Sequence, residues 1–286
     1  MARGCSGFRR QTRSSESPPT LTLSPLPSAS NLFRMKAMFD IHTHILPQVD
    51  DGAKSWEISL EMCRMAQADG IQHMVATPHA NEHYVYDRAA HEARLTELRG
   101  LFGDSMSFSL GCDFHLSYEN LQDLRLHPQR YSIGGGRYIL VEFSNYSIPP
   151  QVEEAMLAFG DLGLTPVITH PERNPILQEG LGRVLDWADR GCVVQITAGA
   201  LNGRWGERPQ QAAMLLLRHK AVHVISTDAH DLERRAPVLS TARAVVAELF
   251  SEELAQALVH DNPEAIVHSR ALPYLPKTER KTEKKA

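Results

Sequence analysis

The sequence predicts a single α/β domain whose parallel sheet is wound into a TIM-like barrel. Three observations carry that expectation. Short β-rich runs alternate with amphipathic helical patterns, which is the mark of βα units. Seven such runs occur, enough to curve a sheet into a barrel. The chain has 286 residues, 42% of them apolar and 22% charged, an ordinary globular composition with material for a sizeable core.

The elements follow in order. Residues 38–41 read as the first strand. Residues 55–68 read as a helix with Ile58, Met62, Met65 and Ala66 on one face, Ser55 as its cap and Gly70 as its end. Strands are expected at 72–77, 107–111 and 138–143, the last entered through a turn at Gly134-Gly-Gly136. A helix at 150–161, a strand at 166–169 and a helix at 182–190 come next. A strand at 193–197, a helix at 209–219, a strand at 222–226 and a helix at 236–250 complete the alternation.

The ends differ from this body. The first 39 residues hold six basic side chains and one acid among many Ser and Pro, so residues 1–37 are expected to be a disordered leader, with a natural start near Met35 or Met38. Residues 277–286 read as a charged, disordered tail. Between them, residues 40–276 carry 19 basic and 31 acidic side chains, a net of −12, whereas the whole chain carries −4. Such a body repels a phosphate backbone, so no nucleic-acid partner is expected. No run approaches the roughly 18–20 apolar residues of a spanning helix, and no secretory signal is apparent; the expectation is a cytoplasmic protein with no membrane insertion. The cysteines show no C-x-x-C spacing, and Cys63, Cys112 and Cys192 read as small buried hydrophobes.

The informative regularity is where the polar residues fall. The first strand runs into Asp40-Ile-His42-Thr-His44, followed by Val49-Asp50-Asp51-Gly52. The second ends in Thr77-Pro-His79, the third in Gly111-Cys-Asp113 and the fourth in Val141-Glu142-Phe143. The fifth ends in His170-Pro-Glu-Arg173 and the seventh in Ser226-Thr-Asp228-Ala-His230. In a parallel barrel these ends open on one face, where such folds place their chemistry. Strand alternation puts His42 with His44, and Asp228 with His230, on a common side. One His-x-His pair alone is a weak signal; six strand ends agreeing is a strong one.

Imidazole and carboxylate without thiolate suit Mn²⁺, Fe, Zn²⁺ or Co²⁺ in open catalytic geometry, and the number of ligands implies two or three ions. Asp51, Asp113, Glu142 and Asp228 crowded together need cations to offset their mutual repulsion, so metal removal is expected to cost stability as well as activity. A multinuclear site suits phosphoester hydrolysis, with a water acidified to hydroxide near neutral pH and the phosphoryl oxygens clamped for in-line displacement. Arg173 and Arg235 are placed to stabilise transition-state charge. The other histidines show no ligand spacing; His83 and His115, just beyond two strand ends, are not assigned as ligands.

These motifs together resemble the PHP (polymerase and histidinol phosphatase) metallohydrolases, and within them the manganese-dependent protein-tyrosine phosphatases encoded with bacterial capsule and exopolysaccharide genes. The resemblance runs from about residue 38 to 270. It implies a distorted (β/α)₇ barrel, a trinuclear site and a phosphorylated bacterial tyrosine kinase as protein substrate. Position by position it implies His42, His44, Asp51, His79, Glu142, His170, Asp228 and His230 as metal ligands and Arg173 and Arg235 as phosphate-binding groups. Asp113 stands where the family usually has Glu, one methylene longer.

Cysteine-based phosphatase chemistry is excluded, because it needs Arg six positions after Cys, and here Gln11, Asp69, Tyr118 and Ala198 stand there. The rival readings are a PHP phosphatase for a small molecule such as histidinol phosphate, an amidohydrolase-type barrel, and a non-catalytic regulator that docks on the kinase. An amidohydrolase usually has a metal-bridging lysine at a middle strand end, where this chain has Glu142 and His170.

Overall fold

Apolar runs too continuous for a half-solvated sheet become parallel strands here, covered on both faces. The structure, a computed structural model, describes Met1 and residues 37–280; most of the expected leader and residues 281–286 lie outside the described residues. One sheet is ordered β1 (Met38–Thr43), β2 (Ile71–Ala76), β4 (Ser107–Leu110). The other is ordered β3 (His79–Ala80), β5 (Asp113–His115), β6 (Tyr138–Glu142), β7 (Thr165–Thr169), β8 (Val193–Thr197), β9 (Val224–Ser226). Every pairing is parallel.

The two sheets continue one another. Thr77-Pro78 separates β2 from β3, since proline has no N–H for the ladder, and Gly111-Cys112 separates β4 from β5. Across the breaks Gly111 N still donates to Ala76 O at 2.8 Å and Asp113 N to Pro78 O at 3.2 Å. On the other side, Asp228 N donates to His42 O at 2.9 Å and His44 N to Ala229 O at 2.8 Å, with a parallel bridge between Thr43 and Ala229. The segment after β9 is thereby joined to the end of β1, giving the barrel-like parallel arrangement expected. The second and third expected strands are each followed by a further short strand, β3 and β5, that was not among the expected elements.

Alternate strand residues serve two apolar clusters. Ile41, Val75, Leu140, Val167, Val193 and Val224 share one with Ala265 and Ile266. Their neighbours Met74, Ile139, Val141, Ile168, Val194 and Ile225 belong to the larger one, which packs under the helices. Cys63, Cys112 and Cys192 are buried in that larger cluster, as expected.

The helices are α1 (Trp56–Ala68), α2 (Arg88–Phe102), α3 (Tyr118–Leu126), α4 (Pro150–Leu157), α5 (Pro175–Glu179) and α6 (Leu181–Asp189). After them come α7 (Ala198–Leu201), α8 (Glu207–Arg218), α9 (Ser240–Leu249), α10 (Glu252–Gln256) and α11 (Asn262–Val267). Ser55 caps α1 by accepting from Ile58 N, and Gly70 follows it in the left-handed region at φ +94°. The helices α2 and α3 were not among the expected elements. Only His91, Leu95 and Leu98 of the first and Leu124 of the second are buried, so each presents a thin apolar stripe.

The tail expectation is corrected for its first residues. Thr278 and Arg280 bond Asp189 and Asp186 of α6, and Glu279 N donates to His219 O at 2.9 Å, because α6 and the end of α8 offer acceptors and a cation that match them. Among the described residues, no helix is long and apolar enough to cross a membrane.

Candidate metal centre

The strand ends deliver their polar residues to one place. Buried Asp40 ties the first and last strands together, accepting from Thr227 N at 3.1 Å, from Thr227 Oγ1 at 2.5 Å and from His42 N at 3.3 Å. Around that tie the nine expected ligands fall into four overlapping groups whose ligating atoms lie within 4.8 Å of one another. These are His44, Asp51, His79 and His230; His42, Asp113 and His170; His42, His44 and Asp228; and His79, Asp113 and Glu142.

Hydrogen bonds set the orientation of three imidazoles. His42 donates from Nδ1 to Gln195 Oε1 at 3.1 Å, and the Gln195 amide is itself oriented by donating to Ile196 O at 2.9 Å. His44 donates from Nδ1 to Asp50 Oδ2 at 2.7 Å, and His230 from Nδ1 to Asp228 O at 2.9 Å. In each ring the bond from Nδ1 turns Nε2 into the cluster, where it can offer a metal its lone pair. Nε2 of His42 and of His44 lie 3.3 and 3.4 Å from Asp228 Oδ1, and Nε2 of His230 lies 3.4 Å from Asp51 Oδ1.

The donor set fits divalent cations. Both carboxylate oxygens of Asp113, Nδ1 of His79 and Nε2 of His230 are buried and find no hydrogen-bond partner among the described residues, a costly state unless a cation takes the lone pairs. Burial, then the Asp113 carboxylate, push Glu142 up to about 8. Burial would lower His79, yet Asp113, Asp51 and Glu142 outweigh it and raise the ring to about 11. Crowded carboxylates that hold protons nearby in this way are the expected signature of a site that binds positive charge.

Arg173 and Arg235 both donate to Asp228 Oδ2, the second at 2.7 Å. Burial works to raise Asp228, but Arg235, His42 and Arg173 hold it well below the usual carboxylate range. Both guanidinium groups also meet the indole of Trp205, Cζ standing 3.9 Å from its ring centroid for Arg173 and 5.7 Å for Arg235.

The family profile described as "Capsular polysaccharide synthesis, CpsB/CapC" matches residues 38–268. The chain belongs to that family. It is 31% identical over 239 residues to the tyrosine-protein phosphatase YwqE of Bacillus subtilis (strain 168), covering 82% of this chain and 93% of that one. It is 28% identical over 239 residues to the tyrosine-protein phosphatase CpsB of Streptococcus pneumoniae, covering 80% and 98%. A solved structure from work on YwqE and CpsB, described as metal-dependent tyrosine phosphatases, superposes with a TM-score of 0.75 at 30% identity, covering 85% of this chain and all of that one.

In this CpsB/CapC protein His42, in β1, and His44, just beyond it, face one side as expected, whereas the Asp228–His230 pair is not produced by strand alternation. β1 ends at Thr43 and β9 at Ser226, and Asp228 has a left-handed backbone at φ +54°. Backbone hydrogen bonds between residues 42–44 and 228–229 hold the segment after β9 beside the end of β1. His83 is exposed and His115 half-buried, and neither joins the cluster. The pattern did not single out Asp50, Gln195 or Trp205. Gln195 had a signal, a lone amide inside the apolar run Val193-Val-Gln-Ile196, and Asp50 stands in the quoted Asp-Asp-Gly motif. Trp205, in a glycine-flanked loop, had none.

Proposed function

We propose that this CpsB/CapC chain is a cytoplasmic, metal-dependent phosphotyrosine phosphatase that uses Mn²⁺ and acts on a phosphorylated bacterial tyrosine kinase of capsule or exopolysaccharide synthesis. The catalytic domain is assigned to residues 38–276. The observation that carries the reading is the double role of Asp228, whose Oδ1 faces the His42 and His44 nitrogens while Oδ2 holds Arg173 and Arg235. Ligand cluster and anion-binding groups thus share one carboxylate.

His42, His44, Asp51, His79, Asp113, Glu142, His170, Asp228 and His230 are the residues that would hold the ions. When bound, these supply an acidified water and neutralise phosphoryl charge. Gln195 and Asp50 keep Nε2 of two rings turned inward, so the ligands are organised before substrate arrives. Arg173 and Arg235 turn remaining N–H donors toward phosphoryl oxygens and stabilise the charge that develops there. In a body of net negative charge these two guanidinium groups supply the positive charge that a phosphate needs beside the ligand cluster.

The test is hydrolysis by chelator-stripped protein reloaded with Mn²⁺, Zn²⁺, Fe²⁺ or Co²⁺, offered a phosphotyrosine peptide, a phosphoserine peptide and histidinol phosphate. Phosphotyrosine turnover, highest with Mn²⁺ and reduced about 10²-fold or more by chelation or by His42→Ala, is expected. Turnover of histidinol phosphate alone would overturn the substrate class. Activity that survives both chelation and His42→Ala would overturn the metal mechanism.

A further inference from the structure

Trp205 lines adjoining cavities beside the cluster, two of which are roomy, and the chemistry described so far gives it no part with substrate. It sits on the loop between α7 and α8, flanked by Gly203 and Gly206 at φ +74° and +88°. The indole lies against Gly199, where a Cβ would come within 2.8 Å of its Nε1, so only glycine there leaves room for it. One adjoining cavity, of about 270 Å³, combines Glu142, His170 and Arg173 with an apolar wall of Phe143, Trp205 and Pro209. The other, of about 510 Å³, is lined by Trp205 with Arg204, Arg234 and Arg235 and with the carboxylates Asp231 and Glu233.

We propose that Trp205 is the specificity-determining residue of this centre, its indole walling the seat of an aryl ring whose phosphate is held by Arg173 and the ligand cluster. The inference rests on the phosphatase reading and names the substrate feature that the site selects. The Arg173 guanidinium spans from Asp228 to the indole. An ester oxygen on its donors therefore has the apolar wall one side chain's reach away. A flat aryl group buries apolar surface there and gains ring contact with the indole, whereas the single methylene of a phosphoserine leaves the wall uncovered. The smaller cavity falls below the roughly 300–1,000 Å³ that encloses a whole drug-sized ligand, and it suits a single side chain. The larger cavity beside it offers the flanking peptide a way out.

Two non-hydrolysable peptides of one sequence separate the possibilities, one carrying an aryl phosphonate analogue of phosphotyrosine and the other an alkyl phosphonate analogue of phosphoserine. Calorimetric titration of the Mn²⁺-loaded protein is expected to show the aryl peptide bound about 10-fold more tightly. Trp205→Leu should bring the ratio close to one with the alkyl affinity changed by less than about 2-fold, and Trp205→Phe should keep most of the preference. In folded wild-type protein, indole fluorescence should change on aryl but not alkyl binding, and Trp205→Phe should abolish that change. Equal affinities in the wild type, an unaltered ratio in Trp205→Leu, or equal losses for both peptides would overturn the proposal. Preferential aryl binding by a protein that hydrolyses no phosphotyrosine would instead count against the phosphatase reading and leave Trp205 its role.

Discussion

The two oxygens of Asp228 face different partners, and the backbone that aims them is strained. Asp228 at φ +54° and His170 at φ +35° both lie in the left-handed region, which costs a non-glycine residue roughly 1–2 kcal/mol. Tertiary hydrogen bonds hold the first in place, Asp228 N to His42 O at 2.9 Å, and a local turn holds the second, Arg173 N to His170 O at 2.9 Å. Asp50 shows how a residue one step from the cluster can matter as much as a ligand. It is buried, it accepts from His44 Nδ1, and His44 holds its carboxyl down at about 2 against the upward push of burial. Asp50→Ala should therefore lower metal affinity by about 10–100-fold, read as metal retained on dialysis against a graded chelator. Unchanged retention would show that His44 needs no such partner. The residue types of the cluster were legible because imidazoles and carboxylates recurring at strand ends form a local pattern. Of the partners that orient them, Asp50 stands in the same motif six residues from His44, whereas the pairing of His42 with Gln195, 153 residues away, was not legible.

The loop from β1 to α1 works as one turn that presents two of the cluster's groups, His44 and Asp51, with Asp50 behind them. Asp50 Oδ1 accepts from Gly52 N at 2.9 Å, His44 O accepts from Ala53 N at 3.0 Å, and Gln48 N donates to Ala53 O at 2.9 Å. Gly52 is required by close approach, because a Cβ there would stand 2.1 Å from His44 O and 2.5 Å from His44 Cβ. Both obstacles belong to the same strand end and neither is the tip of a flexible side chain. Gly52→Ala is expected to cost about 3 kcal/mol or more and to displace His44, which urea unfolding and metal content measured on one preparation will check. A loss of metal without a loss of stability would place the strain elsewhere. The strand breaks belong to this level too. The Pro78 signal stood in the sequence, but reading 72–77 as a strand ending in a ligand overlooked that β3 resumes the ladder beside β5. Helices α2 and α3 escaped the apolar pattern because most of each surface meets water.

Over the whole fold, buried histidines away from the centre contribute to the response to acid. His223 is 4% exposed, its Nδ1 accepts from Val194 N at 3.2 Å, and burial lowers its pKa to about 4. The unfolded chain takes up this proton near pH 6.5, the folded protein only near pH 4. Stability from this group is thus complete above about pH 6.5 and falls as the pH drops toward 4, by on the order of 3 kcal/mol at the limit. His73, bonded to Ser107 and Ser109 and likewise lowered to about 4 by burial, adds to the same limb. His223→Asn keeps an acceptor for Val194 and removes the proton site, so its stability should fall less between pH 7.5 and pH 5 than that of the wild type, measured by urea unfolding. Equal slopes would exclude His223 as a source of the acid limb. Composition, alternation and motif spacing were enough to specify a parallel α/β barrel with nine ligand candidates on one face, because hydrophobic period and chelating residue types are properties of short segments. What they left open depends on segments far apart in the chain meeting in space. Asp40 reaches Thr227, Arg173 and Arg235 converge on Asp228, Trp205 lies against both arginines, and Thr278 with Arg280 fastens to α6. Those contacts exist only once the sheet has curled and brought its last strand beside its first, and no local periodicity encodes them.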